Sequence, residues 1–135
     1  MTTALVITAA GINCDGELIR AFELAGANVV TRHLNELLDE PALLDDAQLI
    51  GLPGGFSFGD AVAAGRIMAS LMRERLYPSL VRAVERGTPM IAPCNGFQIA
   101  VQMGLLPGPR PGEPWPERAP KPSVALAVNE SGRFV

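Results

Sequence analysis

Cys94 lies within Met90-Ile91-Ala92-Pro93-Cys94-Asn95-Gly96-Phe97-Gln98, with an apolar run before it and a helix-compatible run after it. A strand that ends at a thiol and turns at once into a helix lifts the sulfur to the carboxyl edge of a sheet. The free N–H groups that open the helix then favour thiolate over thiol. Gly96 lets the turn be tight. A thiolate that attacks an amide or ester needs donors for the developing oxyanion, a base, and a group that orients the base. Gly54-Gly55, within Pro53-Gly54-Gly55-Phe56-Ser57, can turn backbone N–H groups inward. The N–H of Asn95 is a second donor, as at other nucleophile elbows. Taken singly, Pro-Gly-Gly reads as a turn and a free cysteine as a small buried residue. Placed at consecutive strand ends of one sheet, they read as a site. Cys14, in Gly11-Ile12-Asn13-Cys14-Asp15, is read as a buried loop residue. His33 is the chain's one histidine. It follows the second expected strand and precedes Leu34, and is read as a surface or capping residue and not as the base.

The elements that must position these residues alternate. Ala4-Leu5-Val6-Ile7 is an unbroken apolar run, as expected of a strand buried on both faces. Helical spacing runs from Gly16 to Leu24, with Gly26 as its stop. Val29-Val30-Thr31 is the second strand, and Glu36 to Leu44 a short helix or turn interrupted by Pro41. Gln48 to Pro53 is the third strand, and a long helical region from about Asp60 to Glu85 is expected to break at Pro78. Met90-Ile91-Ala92 is the fourth strand, and Gly96 to Leu106 the helix after the cysteine. This order predicts right-handed βαβ units, with a parallel sheet carrying helices on both faces. Ligands bind such folds beyond the carboxyl ends of the strands, where the three unusual segments are expected to converge.

Beyond Leu106 the character changes. Seven of the twelve prolines fall between Pro107 and Pro122, which marks residues 107–122 as an extended connector within the single domain that spans 1–135. Ser123 to Val128 is expected as a strand, Asn129 to Gly132 as a turn, and Arg133-Phe134-Val135 as the opening of another strand.

With 135 residues the chain can build one good core and not two. It is 48% hydrophobic and 19% charged, with a net charge of −3, which excludes a disordered chain and leaves nucleic-acid binding without support. Arg73, Arg75, Arg82 and Arg86 alternate with Glu74 and Glu85, as on a solvated helix face. Two cysteines make no disulfide framework, no leader is read, and no apolar run reaches bilayer length. A cytoplasmic protein away from membranes is the expectation.

Gly11-Ile12-Asn13-Cys14-Asp15, Pro53-Gly54-Gly55-Phe56-Ser57-Phe58-Gly59-Asp60 and Cys94-Asn95-Gly96-Phe97-Gln98 together resemble the glutaminase subunits of phosphoribosylformylglycinamidine synthase, within the class I glutamine amidotransferases. Gly104-Leu105-Leu106-Pro107-Gly108 and Asn129-Glu130-Ser131-Gly132-Arg133-Phe134 agree in order, so the resemblance covers essentially the whole chain. It implies a flavodoxin-like α/β fold. It also implies that Cys94 attacks the side-chain amide of glutamine, that Gly55 and Asn95 hold the oxyanion, and that Gly54 and Gln98 contact the bound glutamine. The ammonia would serve de novo purine biosynthesis. A large synthetase subunit, which uses ATP and Mg, would convert formylglycinamide ribonucleotide to its amidine, and a small third subunit would bridge the two. No cofactor or metal is assigned to this chain itself.

The sequence departs from the family pattern twice. Ala92-Pro93 stands where a glycine two residues before the nucleophile is usual, and no His-x-Glu follows downstream. The expectation is therefore a fold whose C-terminal part, with the catalytic histidine and glutamate, is missing, and which is by itself inactive. The rival readings are a non-catalytic module that docks on the synthetase and another cysteine-elbow α/β protein, such as the protease-like branch. Asn-Gly-Phe-Gln argues against that branch, which typically has a histidine directly after the cysteine.

Overall fold

The computed structural model describes residues Met1–Phe134. Four strands, β1 (Thr3–Thr8), β2 (Asn28–His33), β3 (Leu49–Gly51) and β4 (Met90–Ile91), form one sheet in the order β2-β1-β3-β4, with every pairing parallel. Between and after them run α1 (Asp15–Leu24), α2 (Leu34–Asp39), α3 (Arg66–Arg75), α4 (Tyr77–Glu85) and α5 (Asn95–Gln102). This is the expected doubly wound α/β arrangement.

Alternation along β1 divides the core in two, because successive side chains point to opposite faces. Leu5 and Ile7 join Ile50, Leu52 and the apolar sides of α2–α5 in the larger cluster. Ala4 and Val6 turn the other way, onto Leu18 and Phe22 of α1. Gly51 faces α1 as well, and a Cβ there would sit 2.8 Å from the Leu18 side chain and 2.9 Å from that of Phe22. The bare backbone of β3 is what lets α1 lie so close to the sheet.

The element boundaries shift for identifiable reasons. The long helical region is two helices that part at Leu76, and Pro78 stands in the first turn of α4, where its missing N–H costs nothing. Nor does helix begin at Asp60, because Phe58, Asp60 and Val62 take φ values of 53°, 53° and 70°. Left-handed backbone at three non-glycine residues within five positions cannot be part of an α-helix. The helix after the cysteine ends at Gln102, with Gly104 left-handed just beyond it.

Residues 107–122 carry no helix or strand, but they are held down. Trp115 packs on the main core, and the Arg73 guanidinium donates to the Gln102 and Ala119 carbonyls at 3.3 and 3.2 Å. Arg73 thus ties the connector to the fold, which a solvated face would not do. Arg82 and Arg86 both approach Asp45, at 3.4 and 3.6 Å. The strand expected at 123–128 does not form. Those residues carry no regular structure and make no ladder, and Val124 and Leu126 line a cavity of about 570 Å³ over α3 and α5. β-propensity yields a strand only where a partner supplies hydrogen bonds. Arg133 and Phe134 likewise form no strand, and Val135 lies outside the described residues.

Candidate active site

The three loops expected to converge do so, and backbone hydrogen bonds fasten them together. Phe56 N–H donates to Gly11 O at 2.9 Å, Phe58 N–H to Ala10 O at 2.6 Å, and Cys14 N–H to Gly54 O at 3.2 Å. Gly11 has φ +83°, and any Cβ there would overlap the Phe56 carbonyl oxygen, so only glycine lets the two loops meet.

Cys94 has φ 50° and ψ −113° and caps α5 directly. An L-residue rarely holds this conformation, at a cost of roughly 1–3 kcal/mol, and such strain recurs at nucleophile elbows. Two features impose it. Gly96 N–H donates back to Pro93 O at 2.9 Å and closes the turn. Gly96 also lies so close to β3 that a Cβ would overlap the Leu52 carbonyl oxygen. Pro93 is harmless here because the last rung of the ladder, Leu52 N–H to Ile91 O at 2.9 Å, precedes it. The cysteine is exposed, as a nucleophile must be.

Gly54 and Gly55 have different roles. A Cβ at Gly54 would stand 3.4 Å from the Cys94 Cβ and 3.7 Å from the Cys14 Cβ, so Gly54 forms the floor between the two cysteines. A Cβ at Gly55, whose φ is +132°, would instead run into Asn13, 2.6 Å from its N and 2.7 Å from its Oδ1. A side chain at Gly55 therefore crowds the Asn13 loop before it crowds the nucleophile. Neither the Gly55 N–H nor the Asn95 N–H has a backbone acceptor among the described residues, which leaves both available to an oxyanion. Gln98 follows one turn later, its N–H donating to Cys94 O at 3.1 Å.

Two placements escaped the sequence reading. Cys14 is not buried; it is exposed, caps α1, and flanks Gly54 opposite Cys94. The Asn95 side chain is completely buried and bridges Ser57 and Gln98. No periodicity distinguishes a buried asparagine from an exposed one, so only the flanking motif could have hinted at it.

His33 is a cap. Its Nδ1 accepts the Asn35 N–H at 3.1 Å, and Glu36 accepts the His33 N–H at 2.8 Å. It ends β2, at the opposite edge of the sheet from β4. Three strand spacings of about 4.8 Å put those edges roughly 14 Å apart. The nucleophile therefore has no histidine beside it among the described residues.

A cysteine on a strained strand-to-helix elbow, with the Gly54 turn beside it at the carboxyl edge of a parallel sheet, defines a cysteine-nucleophile α/β domain. The CobB/CobQ-like glutamine amidotransferase domain family matches residues 1–135, and the chain belongs to that family. It is 41% identical over 131 residues to the phosphoribosylformylglycinamidine synthase subunit PurQ of Dehalococcoides mccartyi, covering 96% of this chain and 48% of that protein. It is 45% identical over 105 residues to the PurQ subunit of Cereibacter sphaeroides, covering 78% and 44%. A solved structure of PurLQS from Thermotoga maritima superimposes with a TM-score of 0.62 at 38% identity, over 79% of this chain and 46% of that one. The chain spans about half the length of the curated relatives it matches.

Proposed function

We propose that this chain carries the nucleophile half of a glutaminase that supplies ammonia to phosphoribosylformylglycinamidine synthase. The observation that carries the reading is Cys94 held at positive φ on the elbow beside the Gly54-Gly55 turn. The Cys94 sulfur attacks the side-chain carbonyl carbon of glutamine, forming a C–S bond while the carbonyl electrons move onto oxygen. The Gly55 and Asn95 N–H groups receive that oxyanion, and Gly54 keeps the floor open for the substrate. The proton that the thiol gave up is returned to the nitrogen, the oxyanion's electrons re-form the carbonyl as the C–N bond breaks, ammonia leaves, and a glutamyl thioester remains for water to hydrolyse.

In this reading the ammonia passes to a large synthetase subunit, which uses ATP and Mg to convert formylglycinamide ribonucleotide to its amidine, with a small subunit bridging the two. The relatives' names and the assembly in the solved neighbour support those partners. No cofactor is assigned to this chain, and a cytoplasmic setting goes with the pathway. Among the described residues no helix is long and apolar enough to cross a membrane. A second reading, a module that docks on the synthetase without turnover, draws support from His33, which serves as a cap across the sheet from Cys94.

A γ-diazoketone analogue of glutamine tests the main reading. It is expected to alkylate Cys94 stoichiometrically, with glutamine protecting and Cys94→Ala abolishing the adduct. An adduct on Cys14 alone, or equal labelling of both cysteines without protection by glutamine, overturns it.

A further inference from the structure

Cys14 and Cys94 are the chain's two cysteines, both exposed, and each stands immediately before a helix, α1 and α5. The fold brings them to the two sides of one bare glycine. The point where a Cβ of Gly54 would stand is 3.4 Å from the Cys94 Cβ and 3.7 Å from the Cys14 Cβ. The two cysteine Cβ atoms are therefore no more than about 7 Å apart, and a disulfide spans roughly 3.5–4.5 Å. A shift of at most about 3 Å brings the pair into range. Cys14 is the half that is free to make it. Its side chain makes no cap bond to α1, and its Sγ has one weak partner, the Asn13 Oδ1 at 3.6 Å. Cys94 is pinned by the turn that Gly96 N–H closes on Pro93 O. No side chain at residue 54 stands between the two sulfurs.

We propose that Cys14 is the resolving thiol of Cys94, and that a hydroperoxide joins the two in a reversible disulfide across Gly54. The Cys94 sulfur, its proton given up, attacks one oxygen of hydrogen peroxide. The S–O bond forms as the O–O bond breaks, the other oxygen leaves as water with that proton, and Cys94 becomes a sulfenic acid. The Cys14 sulfur then attacks the Cys94 sulfur. The S–S bond forms as the S–O bond breaks, and the hydroxyl leaves as water with the Cys14 proton. Two thiols are oxidised, one peroxide is reduced, and two waters are released. The disulfide occupies the nucleophile and covers the Gly54 floor, so it switches the site off, and it stops Cys94 from passing on to sulfinic acid, which thiols cannot reverse. In a reducing setting such a bridge is transient, as a redox sensor requires. The bridge goes beyond the glutaminase reading; only its effect on glutamine chemistry rests on it.

The test exposes the reduced full chain, dilute and folded, to hydrogen peroxide. The intact chain is expected to lose the mass of two hydrogens, and neither cysteine should then take iodoacetamide. Labelling of Cys94 by the γ-diazoketone glutamine analogue should disappear, and dithiothreitol should restore it. In Cys14→Ser the same treatment should leave Cys94 as the sulfinic acid, with labelling lost for good. Gly54→Ala, whose methyl group stands in the gap, should lower the yield of disulfide relative to sulfinic acid by at least about tenfold. Should either variant fail to fold, the parent decides alone: its disulfide should form at least about tenfold faster in the folded chain than in urea, where a long loop must close by chance. Equal rates in the two states overturn the proposal. So do a bridge found only between two chains, and Cys94 reaching sulfinic acid as readily in the parent as in Cys14→Ser. A disulfide that forms in a chain whose Cys94 shows no preference for the glutamine analogue over iodoacetamide overturns the glutaminase reading and leaves the redox pair standing.

Discussion

At the scale of single residues, the two adjacent glycines separate space from backbone strain. Gly54 lacks the left-handed φ of Gly55, and its missing Cβ would make ordinary contacts with Cys94 and Cys14. Gly54→Ala should therefore fold like the parent while filling the floor beside the nucleophile. A tenfold or greater loss in the rate of Cys94 alkylation by a glutamine analogue is expected, since misplacement of about 1 Å at a reacting centre can cost about 10² in rate. Gly55→Ala meets Asn13 and an unfavourable φ at once, so it should cost more than ~1 kcal/mol of stability. Paired melting and labelling curves check both. A Gly54→Ala variant that melts early, or a Gly55→Ala variant that melts like the parent, would contradict the assignment. Iodoacetamide should reach both exposed cysteines, whereas the glutamine analogue should select Cys94.

Among the elements, α4 carries an unusual group. Tyr77 is fully buried, and its hydroxyl has no partner among the described residues. Burial pushes its phenol above the usual value of about 10, opposed in part by the Arg73 guanidinium. The unfolded chain then loses this proton at lower pH than the folded one. Above about pH 10 the unfolded state binds fewer protons, so stability is full below that pH and falls as pH rises. Tyr77 is the only tyrosine, so phenolate absorbance reports on it alone. Its titration should be delayed in the folded protein and should coincide with loss of structure. Tyr77→Phe should remove that alkaline dependence and leave stability equal or higher by about 1 kcal/mol, because a buried hydroxyl without a partner is itself a cost. Phenolate appearing near pH 10 in the fully folded protein would show that the group is hydrated.

The helix-bearing parts of the chain were also the most legible in its sequence. Apolar runs gave β1, β3 and β4, and the cysteine-glycine turn gave the elbow, because buried strands and tight turns leave residue-level marks. The bends between them were not legible. Nothing in Phe58, Asp60 or Val62 advertises left-handed backbone, which the hydrogen bonds of the Phe56–Phe58 loop to Ala10 and Gly11 accompany. Val124, Leu126 and Val128 carry the alternation of a strand, yet pairing is a property of two segments and one sequence shows only one of them. The buried side of Asn95 and the exposure of Cys14 were hidden for the same reason, since both depend on which loop packs opposite.

For the molecule as a whole, the site and the sheet are unevenly furnished. β4 is an edge with no further strand among the described residues, and Ile91 on it is 46% exposed. It shares its face with Gly51, where α1 covers β1 and β3 but not β4. Val128 and Phe134 are exposed as well, at 86% and 103%. Unpaired edges and exposed apolar side chains invite self-association, so this chain alone should aggregate on mild heating and gain from a partner that covers β4. The chemistry is equally one-sided. In the proposed reading Cys94 has donors in Gly55 and Asn95, but the single histidine caps α2 across the sheet, and a cysteine nucleophile without a positioned acid or base stalls when ammonia must be protonated or the thioester hydrolysed. The expected result with glutamine is at most about one equivalent of ammonia per chain, with a glutamyl adduct on Cys94 that hydroxylamine can trap. Ammonia release, followed with and without a synthetase subunit beside a thermal melt, measures this directly. Many turnovers by the 135-residue chain alone, abolished by Cys94→Ala, would overturn the view. Loss of that turnover in His33→Ala would then identify His33 as the base and require β2 to move toward β4.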